Sequence, residues 1–325
     1  MIKDLEIKNF KSIKHLRLDC KRINLFIGEP NTGKSNILET LGLLSHMYYG
    51  ELKNFVRFES MSNLFYDENL EDDVEVKFDE NALRIEFENG TFKGIDNFKS
   101  IGRERDVFSY NYAGHGGHPP SPMEYKFLKF YKFEVRRDFP RQEADFLLPP
   151  SADNLLSIIL TRKDIRKLVK QIFDASGLRV VLKPQEKKIE VQKEIEDVII
   201  SHPYSLVSDT LQRIIFHLIA IETNKDSVIV FEEPESHAFP YYTKYLAERI
   251  ALDKNNNQYF IATHNPYLLL SILEKAHKDE IAIFITYFED YQTKVKPLSE
   301  KELSEIMDMG IDLFFNIERF LEVKE

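Results

Sequence analysis

A glycine-rich loop near the N-terminus carries the clearest chemical signal in the sequence. Residues 28–35 match the pattern G-x-x-x-x-G-K-[ST] and lie between an apolar segment and one with helical periodicity. Backbone N–H groups of such a loop and of the following helix surround phosphate oxygens. We expect Lys34 to contact the β- and γ-phosphates of a nucleotide and Ser35 to bind Mg²⁺. The predicted nucleotide site comprises Gly28, Glu29, Pro30, Asn31, Thr32, Gly33, Lys34, Ser35 and Asn36.

Two adjacent carboxylates form a second signal. The apolar segment 227–231 is followed directly by Glu232 and Glu233. At the carboxyl end of a strand, one carboxylate can support Mg²⁺ while the next orients or deprotonates water. Taken alone, such a pair is usually a solvated strand end, but the upstream loop favours the functional interpretation. We assign Glu232 to the metal and Glu233 to catalysis.

A histidine follows another buried segment. Residues 259–262 are apolar, and His264 comes two positions later, before Pro266. Its imidazole could hydrogen-bond the γ-phosphate or the attacking water. A lone histidine after a strand is more often structural, but its position after the acidic strand favours a catalytic role.

These motifs, in this order, resemble those of ABC-type ATPase heads, in the branch that contains SMC proteins, RecF-like repair proteins and the OLD family. The segment 9–13 (Asn-Phe-Lys-Ser-Ile) and residues 23–36 are similar to the first half of such a head, and residues 231–240 and 262–266 to the second. The resemblance covers about residues 1–50 and 200–320. It implies ATP and Mg²⁺ as cofactors, with Lys34, Glu233 and His264 as catalytic residues.

The resemblance also implies a head-to-head homodimer that closes on ATP. Residues 206–213 are similar to the family's degenerate signature segment, so Ser208 would contact the nucleotide held by the other protomer. The N-terminus of the predicted helix 209–222 offers N–H donors for a γ-phosphate. Alternatively, Ser208 caps this helix with its side chain, and both roles are compatible.

Two departures from the family pattern bear on activity. The metal-supporting position, usually Asp, is Glu232, whose extra methylene moves the carboxylate and could slow turnover. The signature reads Ser-Asp-Thr at 208–210 instead of a Ser-Gly-Gly pair, which weighs against a transporter subunit. Glu233 is present, so we expect hydrolysis. Residues 48–200 contain no heptad pattern, so we expect no coiled-coil arms of the SMC type. About sixty residues follow His264, so we expect no nuclease domain like that of OLD nucleases.

Composition limits the alternatives. The 325 residues carry 44 Lys+Arg and 54 Asp+Glu, a net charge of −10, which disfavours a protein whose whole surface coats nucleic acid. A single cysteine, Cys20, excludes an internal disulfide and a Cys-rich zinc site. His115 and His118 could form a metal pair, but no further ligands lie nearby. No apolar run approaches the roughly 18 residues of a membrane span, and we expect a cytoplasmic protein.

The periodicity predicts the elements that position these residues. Alternating segments at 2–8 and 13–18 indicate antiparallel strands, and from residue 208 helices alternate with buried strands, which is typical of a parallel sheet covered on both faces. We predict an α/β fold, a P-loop NTPase of the ABC type with a mixed central sheet, helices on both faces, N-terminal antiparallel strands and an inserted lobe. Residues 1–50 and 200–325 would form the ATPase core, and 51–199 the inserted strand and helical lobe.

One predicted helix, 155–173, carries a basic stripe. Apolar residues occupy the opposite face, so the stripe is either solvated or contacts DNA or RNA phosphates. The stripe consists of Arg162, Lys163, Arg166, Lys167 and Lys170, and Arg136, Arg137 and Arg141 could extend it.

The functional hypothesis is therefore a stand-alone ABC-type ATPase that drives or gates a separate effector, in phage defence or DNA repair. The alternative is a nucleotide-gated binding or scaffold module with little hydrolysis, which Glu232 in place of Asp favours. A third hypothesis, that the protein is the nucleotide-binding subunit of a membrane transporter, is disfavoured by the Ser-Asp-Thr signature at 208–210.

Overall fold

The structure is a computed structural model that describes residues 1–117, 122–309, 314 and 316–321. The strands are β1 (Asp4–Phe10), β2 (Ile13–Asp19), β3 (Ile23–Ile27), β4 (Val74–Phe78), β5 (Asn81–Glu88), β6 (Thr91–Phe98), β7 (Arg103–Tyr110), β8 (Gly116–Gly117), β9 (Leu128–Tyr131), β10 (Arg179–Lys183), β11 (Lys188–Ile195), β12 (Val198–Pro203), β13 (Val228–Glu232), β14 (Gln258–Ala262), β15 (Ile281–Glu289) and β16 (Gln292–Pro297). The α-helices are α1 (Lys34–Tyr49), α2 (Leu155–Thr161), α3 (Lys163–Asp174), α4 (Asp209–Thr223), α5 (Pro240–Ala251), α6 (Pro266–Lys275), α7 (Glu300–Met309) and α8 (Ile317–Leu321).

A six-stranded mixed sheet forms the centre of the molecule, in the order β16-β15-β3-β14-β13-β9. Five of the strands are parallel, and β16 pairs antiparallel with β15. The short apolar segments of the sequence form these central strands because strands buried on both faces need apolar residues at nearly every position. The predicted mixed sheet is confirmed.

The two faces of this sheet are covered differently. Alternate residues of β3 point to opposite sides: Ile23, Leu25 and Ile27 pack against a core that includes residues of α2–α6, whereas Phe26 packs against α1. Helices therefore cover both faces, as predicted.

A seven-stranded antiparallel sheet packs on the other side of α1, in the order β2-β1-β4-β5-β6-β7-β8. The alternating segments 2–8 and 13–18 predicted β1 and β2, whereas β6 and β7 were not predicted. The alternation in β6 is interrupted by Gly94, where the pairing with β7 shifts register and the Phe108 ring occupies the space of a Cβ. A strand interrupted in this way lacks the alternating apolar pattern from which strands are predicted.

The predicted single helix 155–173 is wrong. Arg162 is extended, with φ −103° and ψ 113°, and separates α2 from α3. Its guanidinium Nη2 donates to Asp164 Oδ2 at 2.7 Å in the first turn of α3, and the Thr161 hydroxyl donates back to the Ser157 carbonyl. The Arg162–Asp164 hydrogen bond spans the break and favours the extended backbone there. The basic stripe thus lies on α3, with Arg162 at the junction.

The segment 51–199 contributes to more than one sheet. Strand β9 forms an edge of the central sheet, β4–β8 extend the sheet begun by β1 and β2, and β10–β12 form a separate three-stranded antiparallel sheet. The boundary of the inserted lobe at 51–199 stays a prediction.

In the described part of the chain, no helix has both the length and the apolar character needed to cross a membrane. His118 lies outside the described residues, and within them no cluster of three His, Cys, Asp or Glu side chains suits a metal ion.

We expect Phe26→Ala to destabilise the protein strongly. Phe26 is fully buried between Phe260 and Phe284, with ring centroids 6.4 and 5.2 Å away, and truncating a buried Phe costs about 3–5 kcal/mol. Urea unfolding measures the change, with Leu252→Ala at an exposed position as the control. A loss no larger than that of the control would contradict the packing described.

Candidate functional site

The glycine-rich loop connects the carboxyl end of β3 to the N-terminus of α1, where the motif requires it. Gly28 and Gly33 have φ values of 148° and 95°, which favour glycine. A Cβ at Gly28 would lie 2.3 Å from the Thr286 carbonyl oxygen, and one at Gly33 would lie 1.9 Å from Thr293 Oγ1. Strands β15 and β16 therefore press against the loop, and only glycine fits there.

Side-chain hydroxyl groups of other elements form hydrogen bonds with the glycine-rich loop and the start of α1. The Thr32 hydroxyl donates to the Glu29 carbonyl at 2.8 Å and lies 2.7 Å from Thr286 Oγ1. The Asn36 amide donates to Ser12 Oγ at 2.6 Å, and Ser12 Oγ is 2.7 Å from Thr293 Oγ1. Sequence reasoning missed both threonines because they follow no chemical pattern and lie about 250 residues from the loop.

Lys34 lies inside the loop and is 6% exposed. Its Nζ donates to the carbonyls of Gly28 and Glu29 at 2.9 and 2.7 Å. Burial lowers the pKa of Lys34 to about 8, against the opposing effect of Glu233, Glu232 and Glu29.

Ser35 and Glu232 meet at this edge of the sheet. The Ser35 hydroxyl donates to Glu232 Oε1, and the Glu232 side chain is partly exposed. A hydroxyl and a carboxylate oxygen in contact, open to solvent, are the oxygen ligands that Mg²⁺ prefers. The two residues predicted to bind the metal therefore fit it.

Glu233 and His264 face each other on neighbouring turns. His264 Nε2 lies 3.4 Å from Glu233 Oε1, and both side chains are half-exposed. Glu233 has a left-handed φ of 44°, and the Ser236 hydroxyl donates to its Oε2 at 3.0 Å. Burial and, to a smaller extent, Lys34 lower the pKa of His264, whereas Glu233 raises it. At neutral pH a largely neutral imidazole can accept or donate a hydrogen bond beside the carboxylate.

Ser208 stands apart from these groups. It is exposed at the N-cap position of α4, and its side chain makes no capping hydrogen bond, so the interpretation as a side-chain cap is wrong. Its neighbour Thr210 donates to the His237 carbonyl at 2.7 Å, which connects the start of α4 to the chain after Glu233.

A cluster of charges beside Glu232 was not predicted. The buried Glu39 carboxylate accepts hydrogen bonds from Lys11 Nζ and from Arg57 Nε, and Arg57 Nη2 lies 3.7 Å from Glu232 Oε1. Lys11 belongs to the segment 9–13 used for the resemblance, so it could have been singled out, but Arg57 has no local signal. Lys11 and Arg57 also line a cavity of about 760 Å³ together with Lys53, Phe58 and Phe65.

Comparison with known proteins decides the family. A family model described as an AAA domain, putative AbiEii toxin, Type IV TA system, matches residues 23–271, which is more than half of the chain. The chain belongs to this AAA family. The matched region contains the glycine-rich loop, Glu232, Glu233 and His264. No curated protein matches the chain.

Solved structures show the same fold. An SMC head bound to the C-terminal winged-helix domain of ScpA is similar over 94% of this chain and 99% of its own, with 16% identity and a TM-score of 0.56. An SMC head with an extended coiled coil, bound to the C-terminal domain of ScpA and derived from Pyrococcus furiosus, is similar over 95% and 98%, with 13% identity and a TM-score of 0.55. The fold is that of an ABC-type ATPase head of the SMC/RecF-like kind.

We expect nucleotide affinity to fall as pH rises through about 8. A triphosphate favours the ammonium form of Lys34, so deprotonation of the free protein above its pKa of about 8 must be reversed on binding. Between pH 7 and pH 9, the affinity for a fluorescent ATP analogue with Mg²⁺ should drop about tenfold.

The matched variant is Lys34→Arg, which stays charged throughout this range and should show a flatter profile. An affinity of the unaltered protein that is constant across the range would contradict the role given to Lys34.

Proposed function

We propose that the protein binds and hydrolyses ATP with Mg²⁺, and that ATP closes a head-to-head homodimer. The observation that carries this proposal is the convergence of Lys34, Ser35, Glu232, Glu233 and His264 at one edge of the central sheet, with hydrogen bonds or ion pairs linking Ser35 to Glu232 and Glu233 to His264. Family membership supports nucleotide binding of the ATPase type.

Each residue has a role that follows from its position. The loop N–H groups and Lys34 would bind the phosphates, and Ser35 with Glu232 would hold the metal. Glu233 would accept a proton from the attacking water, and His264, on the same side, would hydrogen-bond the γ-phosphate or that water. When bound, Mg²⁺ neutralises charge on the phosphate oxygens.

Exposed residues near Ser208 support the dimer. Large apolar side chains are exposed just before α4 and in the chain after Glu233, two segments joined by the Thr210–His237 hydrogen bond: Leu206 is 73% exposed, Phe239 67% and Tyr241 67%. Apolar groups exposed together mark an interaction surface. Ser208 and the N-terminus of α4 lie among them and would contact the nucleotide held by the partner protomer.

The closed dimer would pass its state to a separate effector protein, in phage defence or DNA repair. This step rests on fold-level analogy. A solved SMC head carries a domain of a second protein, ScpA, and a comparable separate partner is proposed here. The competing proposal, a nucleotide-gated scaffold with little hydrolysis, is supported by Glu232 in place of Asp.

We expect Glu233→Gln to form an ATP-dependent dimer and to lose hydrolysis. The substitution removes the proposed proton acceptor, and loss of a general base costs about a hundredfold or more in phosphate release. Light scattering of this variant should show a mass that doubles only with Mg-ATP.

The control is Glu274→Gln, which removes an exposed carboxylate elsewhere and should keep wild-type turnover. A mass unaffected by ATP would contradict the dimer and the role of Ser208. Equally low turnover of the unaltered protein and Glu233→Gln would favour the scaffold.

A second candidate function is nucleic-acid binding by α3. Lys163, Arg166, Lys167 and Lys170 are exposed on α3, while Ile165, Leu168 and Val169 are buried beneath them. Lys170 pairs with Asp174, and the Arg166 guanidinium donates to the Leu160 carbonyl. Lys163 and Lys167 thus offer the more available charges for phosphate contacts.

We expect Lys163→Glu with Lys167→Glu to abolish salt-sensitive binding of duplex DNA, because each phosphate contact releases a counterion. Fluorescence anisotropy measures the affinity. Lys14→Glu with Lys254→Glu changes the net charge equally at exposed sites elsewhere. Equal weakening by both pairs, or none by the α3 pair, would remove α3 as the contact surface.

A further inference from the structure

A buried carboxyl group lies close in the chain to Glu233 and is hydrogen-bonded to the residue before His264. Glu235, two residues after Glu233, is 5% exposed. Its Oε1 accepts a hydrogen bond from the Thr263 hydroxyl, and its Oε2 accepts none of normal geometry from the described residues. Burying a carboxyl group costs free energy, so its presence here calls for a reason.

The position of Thr263 suggests that reason. Thr263 is fully buried and directly precedes His264. Its backbone N–H donates to the Phe26 carbonyl at 3.1 Å, and its hydroxyl accepts from the Asn265 N–H at 3.0 Å while donating to Glu235. The Glu235–Thr263 hydrogen bond therefore joins the turn after β13 to the turn after β14.

The surroundings of Glu235 favour its neutral form. Burial raises the pKa of Glu235 to about 7, and Glu233 adds to this, whereas Thr263 and the N–H groups of Glu235 and His264 oppose it. An uncharged side chain that keeps the acceptor oxygen should therefore fill the same place.

We infer that Glu235 is a positioning residue: through its hydrogen bond to Thr263 it holds the turn that carries Glu233 against the turn that carries His264. The Glu233 N–H also donates to the Ala262 carbonyl at 2.9 Å, and the Glu235–Thr263 hydrogen bond adds a side-chain link beyond it, next to the 3.4 Å contact of Glu233 Oε1 with His264 Nε2. The inference rests on the proposed ATPase function, because it assigns a task to the same pair.

Three substitutions separate the hydrogen bond from charge and volume. Glu235→Gln keeps the acceptor and removes the ionisable group, Glu235→Met keeps the length without the acceptor, and Thr263→Val keeps the shape without the hydroxyl. Thr243→Val is the matched control, since Thr243 is equally buried on α5 and its hydroxyl has no hydrogen-bond partner among the described residues.

For ATP hydrolysis, we expect Glu235→Met and Thr263→Val each to lower kcat about tenfold or more, with KM for ATP changed less than about twofold, because misplaced reacting groups slow the chemical step. Glu235→Gln and Thr243→Val should stay within about twofold of the unaltered protein. The double variant Glu235→Met, Thr263→Val should be no slower than either single variant, since both remove one interaction.

A second readout needs no nucleotide. Glu233 raises the pKa of His264. Separation of the two turns therefore lowers it, and NMR titration of the His264 ring should give a lower pKa in Glu235→Met than in the equally uncharged Glu235→Gln. Equal pKa values, equal kcat in these two variants, or a change confined to KM would overturn the inference.

The positioning role of Glu235 can fail or hold independently of the proposed ATPase function. An unaltered protein that does not hydrolyse ATP defeats the ATPase proposal, while the NMR comparison still decides whether Glu235 sets the position of His264. An active protein with fast Glu235→Met defeats the positioning role alone.

Discussion

The register of three parallel strands is the constraint on which the site depends. Phe26 on β3 lies opposite Ala262 on β14, and Ala262 lies opposite Glu232 on β13. Because parallel strands end on the same edge, the chain leaves the sheet at adjacent points into the glycine-rich loop, the His264 turn and the acidic turn. A one-residue slip in any of these strands would exchange its two faces and shift by one residue the point at which the chain leaves the sheet.

Burial at this edge shifts opposite charges toward their neutral forms. It lowers the pKa of Lys34 to about 8 and raises that of Glu235 to about 7. Both groups lie close to the fully buried ends of β3 and β14, so the low dielectric of the core extends to the candidate site. The half-exposed Glu233 and Glu232 keep contact with solvent. The site therefore combines buried groups, Lys34 and Glu235, with partly exposed carboxylates, Glu232 and Glu233, that a ligand could reach.

Sequence reasoning identified the parts of this site that are local in the chain. The loop 28–35, Glu232, Glu233 and His264 each follow a buried strand at fixed spacing, so pattern alone located them. The contact between Glu233 and His264 was not predicted; it arises because the parallel strands β13 and β14 end at the same edge. Thr286, Thr293 and Arg57 were missed because they reach the site through tertiary packing. The break at Arg162 was missed for another reason: apolar spacing continues across it, and the break is marked by the extended backbone of Arg162 and its hydrogen bond to Asp164.

Glu232 stands where the family pattern usually has Asp, and its side chain lies close to Arg57. The longer side chain reaches the Ser35 hydroxyl, so the extra methylene does not remove the carboxylate from the metal side of the site. It also brings Oε1 within 3.7 Å of Arg57, whose guanidinium is held by Glu39. An arginine this close competes with a divalent cation for the same oxygen. For the proposed function, Arg57 as well as the length of the Glu232 side chain would therefore affect how firmly this carboxylate holds Mg²⁺.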